Sequence, residues 1–363
     1  MNLLFQFTDI TTMSIVEQGC APRPEQVAGP AQDPGPSADQ VAELPMLKTI
    51  VLDCKQGAVR AVRFSVDGNY CFTAGSDKSL KLWNPNKGTV LKNYMGHGYE
   101  VLDAKGSCDN SQLVSCSMDK TIVLWDVSSG NWSRKWRGHL GYVNCVAFNE
   151  DSSVVVSGSV DTTVKVWDCR SRSQDPMQTM VECKDSVTAL DVSDHEILVG
   201  SGDGRVRLYD LRKGSLSTDY VGGAVACATF TRDGQCVLVS CVKNTIKLFD
   251  KSSGEMLSEF SGHINREYRL DSCLDHSDKY VLSGSENGMV YIWDLVEGGL
   301  LAKLDHGPGS GAVHSLAQHP SRAQLLTAHK GMVSVWEDKE QETEVEEQAM
   351  SSASVYDSKP HWM

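Results

Sequence analysis

Residues 157–170 read SGSVDTTVKVWDCR. Small residues and an Asp open the stretch as a turn. Thr163-Val164-Lys165-Val166-Trp167 then alternates polar with apolar, the period-two pattern of a half-buried strand. Six other stretches copy it: SLKLWN (79–84), TIVLWD (121–126), RVRLYD (205–210), TIKLFD (245–250), MVYIWD (289–294) and MVSVWE (332–337). The closing aromatics are Trp83, Trp125, Trp167, Tyr209, Phe249, Trp293 and Trp336, spaced 42, 42, 42, 40, 44 and 43 residues apart. Working outward from each copy, a turn-rich step such as GSD or SMD precedes the strand. Before that lies an alternating run such as YVNCVAF (142–148), and earlier still a strand such as NWSRKWR (131–137) that ends in Gly-His. A unit of four short strands cannot bury both its faces alone, so units repeating at this period must stack on one another.

Four strands per roughly 40 residues, opened by Gly-His and closed by Trp-Asp, is the signature of the WD40-repeat family, which this chain resembles. Seven copies then imply an all-β, seven-bladed β-propeller over residues 46–336. Closure follows from counting strands. No fourth strand follows Trp336, and the alternating run LKTIVL (47–52) can supply it, removing an open sheet edge. Residues 1–45 include a Pro/Gly-rich stretch, CAPRPEQVAGPAQDPGPSADQVAELP (20–45), and are expected to be disordered. Residues 1–19 are more apolar and could form a short helix or strand. The tail, residues 337–363, is acidic, then Ser-rich, and is also expected to be disordered.

The resemblance also implies what the polar residues inside a blade do. A His from the Gly-His step, a Ser or Thr on the second strand, an Asp in the next turn and the closing Trp form one buried hydrogen-bond chain. Complete sets here are His97-Ser115-Asp119-Trp125 and His139-Ser157-Asp161-Trp167. Blade six has His263, Ser283 and Trp293 with Asn287 in the Asp position. Blade one keeps Thr73, Asp77 and Trp83 but has Lys55-Gln56 where Gly-His would sit. Blade four keeps only Asp203 and Tyr209, blade five has Lys243 and Phe249, and blade seven has Lys330 and Trp336. Blades two and three are thus expected to be the rigid side of the ring, and four, five and seven the softer one. Removing Asp119 should cost about 1–3 kcal/mol by stranding buried donors.

The structural role accounts for His139, Ser157 and Asp161 together, so they are not read as a catalytic triad, and the chain is not read as an enzyme. Ten His and twelve Cys are not gathered into a compact zinc motif, so neither a metal nor a cofactor is expected. GSGDG (200–204) leads into a strand and lacks the helix a phosphate loop needs. Trp132 and Trp136 are expected on one face of an outer strand, packed between blades. The cysteines are scattered, without a CxxC pair, and most (Cys71, Cys116, Cys145, Cys227, Cys241) sit among apolar neighbours. Such buried thiols fit a reducing compartment, cytosol or nucleus. No basic leader precedes a long apolar run at the N-terminus, and no window approaches 18 uncharged apolar residues, so neither a signal peptide nor a membrane span is expected.

Net charge is −13, but residues 1–45 carry −5 and residues 337–347 carry −6, leaving −2 for the body. A neutral body has no broad footprint for nucleic acid, and direct binding is not expected. Display of a partner surface is the remaining role. The face holding the Asp turns should carry Met118, Tyr142 and Val160 as an apolar patch rimmed by Glu100, Asn144 and Arg60.

Longer runs narrow the resemblance: GAVRAVRF (57–64), GHGYEVLDA (96–104), VSDHEIL (192–198), DGRVRLYDLR (203–212) and WDLVEG (293–298) resemble the family of WD-repeat scaffolds that organise mitogen-activated protein kinase cascades. That resemblance implies a non-catalytic adaptor for ERK-cascade kinases and their endosomal adaptor. It also implies links to a HIF prolyl hydroxylase, the Par6 polarity complex and the spliceosome. Two other readings stand beside it. WDCR (167–170) fits the Trp-Asp-x-Arg box of cullin-4 ubiquitin-ligase substrate receptors, with Asp168 and Arg170 as the contacts. A direct RNA-binding module is the other, and it would show a steep salt slope.

Overall fold

The computed structural model describes residues 14–17 and 44–338, and every regular element among them is a strand. Seven antiparallel sheets stand around one axis, each in the order inner to outer strand. Blade three runs Val143–Phe148, Val154–Ser159, Val164–Asp168 and Gln178–Met180, and the other six repeat that order. The repeat motif of every blade is the third strand. Its inner side faces the second strand in register, as Trp167 faces Val155 and Val166 faces Val156.

Closure uses the chain's start. Leu47–Asp53 pairs antiparallel with Met332–Glu337, placing Leu52 opposite Val333. Leu52 is buried in one cluster with Val59, Val62 and Trp83 of blade one, so the strap binds blade seven to blade one by packing as well as by backbone bonds. Leu44 is buried against Tyr280, Leu304 and Trp336, so it packs as part of the ring although it precedes the boundary expected at residue 46. Within residues 1–19, whose more apolar sequence allows a short helix or strand, one strand is described. Ser14–Glu17 is a strand, pairing in parallel with the outer strand of blade four, Ser215–Tyr220. The Pro/Gly-rich stretch as far as residue 43 and the tail from residue 339 lie outside the described residues.

The core is the set of blade-to-blade contacts. Between blades two and three, Val114, Cys116, Leu124 and Trp136 pack on Val143, Val146, Val155 and Trp167. The approach is close enough to demand glycine: a Cβ on Gly158 would lie 2.4 Å from Val187 Cγ1 of the next blade. Cys71, Cys116, Cys145, Cys227 and Cys241 are buried free thiols, and burial pushes Cys145 up to about 12. Trp132 and Trp136 part company. A bulge between Trp132 and Arg134 leaves Trp132 exposed, while Trp136 is buried and stacked on Trp167 at 5.9 Å between ring centres. Among the described residues no helix is long and apolar enough to cross a membrane.

Candidate functional site

Each inner strand starts on the face that carries the Gly-His steps and the Asp turns, and ends on the opposite face. The rigidity of the first face in blades two and three comes from their polar chains. His139 Nε2 lies 2.8 Å from Ser157 Oγ and its Nδ1 3.0 Å from Asp161 Oδ2; Trp167 Nε1 donates to Ser157 Oγ at 2.8 Å. Asp161 also accepts from the Leu140 and Thr163 backbone N–H groups, at 2.7 and 3.0 Å. Blade two repeats this through His97, Ser115, Asp119 and Trp125, with distances of 2.7–3.2 Å. Burial opposes ionisation of Asp161, yet hydrogen bonds from His139 and Thr163 hold its carboxyl well below the usual carboxylate range. Ser157 is fully buried with its hydroxyl held between an imidazole and an indole, which no nucleophile facing a substrate could be.

Blade one builds an equivalent chain with different letters. Trp83 Nε1 donates to Thr73 Oγ1, Thr73 donates to Gln56 Oε1 at 2.5 Å, and Gln56 Nε2 donates to Ser79 Oγ at 3.0 Å, which in turn donates to Asp77. The Gln amide offers one acceptor and one donor arm, so it replaces the imidazole. Blade seven uses His306, whose Nε2 lies 2.6 Å from Thr327 Oγ1, the acceptor for Trp336 Nε1 at 2.9 Å. The signal was present as Asp305-His306-Gly307, with His and Gly in reversed order. Blade four puts a buried guanidinium in the pocket: Arg207 donates to Ser201 Oγ at 2.7 Å and to Asp203 Oδ2 at 2.6 Å. Tyr209 hydroxyl donates to Glu182 at 2.9 Å. Blades four and seven are therefore internally bonded, contrary to the softness expected of them.

Blade six fails to assemble. His263 is buried, yet neither ring nitrogen has a hydrogen-bond partner. Asn287 turns its amide to Tyr291 hydroxyl at 3.0 Å, and Trp293 Nε1 goes to Ser261 O at 3.1 Å. Ser283 donates to the Gly284 carbonyl. Without a carboxylate to orient it, the imidazole is simply packed against Trp293, and burial lowers its pKa to about 4.

On the outer surface of that face, Tyr142 and Val160 are exposed, and Val160 N–H donates to Tyr142 O at 2.9 Å. Gly141 packs directly on Val160, a Cβ there lying 3.3 Å from the Val160 Cβ, so Leu140 and Tyr142 flank it. Leu140 is 83% exposed and was missed from sequence, since it directly follows a Gly-His step that was read only for its His. Met118 is only half-buried in the next turn, its N–H bonded to Glu100 O. Glu100 and Arg60 form an ion pair at 3.0 Å across blades one and two. Asn144 departs from the expected rim: its Nδ2 donates to Val187 O at 2.7 Å and its carbonyl accepts from Arg269, so it ties blades together inside the channel. On the opposite face, Asp168 Oδ1 accepts from Arg170 N–H at 2.7 Å, and the Arg170 side chain is exposed beside Asp151.

Comparisons with known proteins agree with this architecture. The model of the WD domain, G-beta repeat, matches residues 47–84 and 254–294, and that of the nucleolar protein 10-like N-terminal domain matches residues 103–273. The chain is 64% identical to WD repeat domain-containing protein 83 of Rattus norvegicus over 302 residues, covering 83% of this chain and 95% of that one. Identity is 63% to the Homo sapiens protein over the same shares. The WD repeat domain-containing protein 83 homolog of Dictyostelium discoideum is 33% identical, over 80% of this chain and 98% of its own. Identity at this level over about four-fifths of the chain places it in the WD repeat domain-containing protein 83 family of WD40-repeat β-propellers.

Proposed function

We propose that the protein is a non-catalytic scaffold that gathers ERK-cascade kinases, and that partners dock on the face built by blades two and three. The observation that carries this reading is the exposed apolar group Leu140, Tyr142 and Val160, set on blade three, which with its neighbour blade two holds a completely bonded polar chain. A rigid apolar centre with a polar rim, here the Arg60–Glu100 pair, loses little entropy on docking. Family membership supports a scaffolding role, and the kinase cascade is the partner set implied by the sequence runs given above. Because Met118 is half-buried, the sharper disruption is Leu140→Glu with Val160→Glu. Both side chains are solvated in the free protein, so unfolding should shift by less than about 1 kcal/mol. Ions placed at a desolvated interface centre should weaken association by several kcal/mol, on the order of a hundredfold or more. Proximity labelling with the intact protein reads the result. Loss of at least one kinase-cascade partner is expected, and retention of every partner by a folded variant would refute the assignment.

A further inference from the structure

An edge strand presents a row of unpaired N–H and C=O groups, and natural sheets blunt such edges with bulges, short strands or basic side chains. Six of the seven outer strands of this ring are blunted. Those of blades one, two, five, six and seven lose register against their third strands, as between Leu248 and Phe249 in blade five and between Ile292 and Trp293 in blade six. The outer strand of blade three spans only Gln178–Met180. Blade four is the exception. Ser215–Tyr220 pairs with Arg205–Asp210 over six consecutive residues without a shift, and its sequence, SLSTDY, holds no Lys, Arg or Pro. Leu216, buried with Met180 and Tyr209 between blades three and four, keeps the strand in place.

That straight edge is the one that carries a fifth strand. Ser14–Glu17 runs parallel to it, with Ser14 opposite Ser215 and Glu17 opposite Thr218, and no other blade among the described residues has more than four strands. Ile15 and Val16 are β-branched, the class that favours strands. Four residues make a short strand, and residues 18–43 tether it to the ring, so its pairing is intramolecular and gains from a high effective concentration. The same four residues on a separate molecule lack that gain, so a longer segment is needed to replace them. Asp219 lies one position past the covered stretch and is half-buried. Burial alone pushes its carboxyl up, with no cation beside it to oppose this.

We propose that the outer edge of blade four is a strand-addition site, filled in the free chain by Ser14–Glu17, where a partner protein docks an extended segment of β-branched residues followed by a basic one. Main-chain hydrogen bonds supply the affinity, as in strand addition generally, and the basic residue reaches Asp219. The site lies on the rim of the ring and is independent of the docking face around Leu140. The test uses the full chain and a variant, Ile15→Pro with Val16→Pro, whose resident strand lacks the N–H groups that pairing needs. Hydrogen exchange of the edge amides of residues 215–220 should be slower in the parent than in the variant. A fluorescent peptide copying residues 11–18 should bind the variant saturably, one per chain, and the parent about tenfold more weakly, because the resident strand holds the edge. Binding should restore slow exchange at 215–220. A Gln18→Lys peptide should bind about twofold to fivefold more tightly, and Leu140→Glu should change none of these readings. Exchange at 215–220 that ignores the double substitution, no saturable binding to the variant, or equal binding to both proteins would each overturn the proposal. A Gln18→Lys peptide that binds no better than its parent would overturn the basic residue's place in it.

Discussion

Blades three and six carry the same His, Ser and Trp at the same steps, and only blade three connects them. In blade three every polar atom of the set is bonded, from Asp161 through His139 and Ser157 to Trp167. In blade six Ser283 and Trp293 go to separate backbone carbonyls and His263 to no partner. One position separates them. Asp161 is a carboxylate that accepts from imidazole, hydroxyl and backbone together, whereas Asn287 is a neutral amide already satisfied by Tyr291. A chain of hydrogen bonds is cooperative, so losing its charged anchor releases every link. Blades one and seven teach the converse: Gln56 and His306 restore the chain from residues that fall outside the expected step.

The comparison holds only within a closed ring, so the largest effect should follow from opening it. Deleting residues 44–53 removes the strap that pairs with Met332–Glu337 and the packing of Leu44 and Leu52. Cooperative unfolding should be lost or its midpoint fall drastically, as read by circular dichroism. A truncated protein melting like the full chain would show that the strap is ornamental.

His139→Leu should cost about 2–4 kcal/mol, because it leaves Asp161 and the Ser157 hydroxyl buried without their partner. His263→Leu removes a buried imidazole that bonds to nothing, and at neutral pH should stay within about 0.5 kcal/mol of the parent, or above it. Chemical denaturation of the two variants compares the blades directly. Equal losses would mean that His263 is bonded in solution.

Acid should sharpen the same contrast. The folded pKa of His263 is lowered to about 4 by burial, against about 6.5 in the unfolded chain. The unfolded state therefore binds the extra proton. The stability this group contributes is fully present above about pH 6.5 and is lost as pH falls toward 4. Between pH 7 and pH 5 the parent should lose on the order of 2 kcal/mol more than His263→Leu. Parallel pH profiles for the two proteins would contradict the burial-driven shift.

Blade one extends the comparison to a chain built on an amide. Gln56→Met keeps the volume and the apolar stem but strands Thr73 and Ser79, and should cost about 1–2 kcal/mol. A Gln56→His protein that recovers most of that loss would show that amide and imidazole are interchangeable in this pocket. Failure to recover would show that the backbone here is shaped for the amide.

Much was legible without coordinates. The period of the Trp-Asp strands, the alternation within each, and the spare strand at 47–52 determine seven blades and a closed ring. These are local and repeated features, and each depends only on which side chains alternate along a strand. The two complete hydrogen-bond sets could be written down because all four letters were present. What only the tertiary structure decided is which buried polar atoms meet. Arg207 reaches the pocket of blade four from the third strand, Asn144 bonds across to the next blade, and a bulge turns Trp132 outward while Trp136 stays in. The same holds for the channel, where cations from strands far apart in sequence converge on one cavity. A hydrogen bond is made or lost within a few tenths of an ångström, and that margin is set by how neighbouring blades pack, which no single repeat encodes.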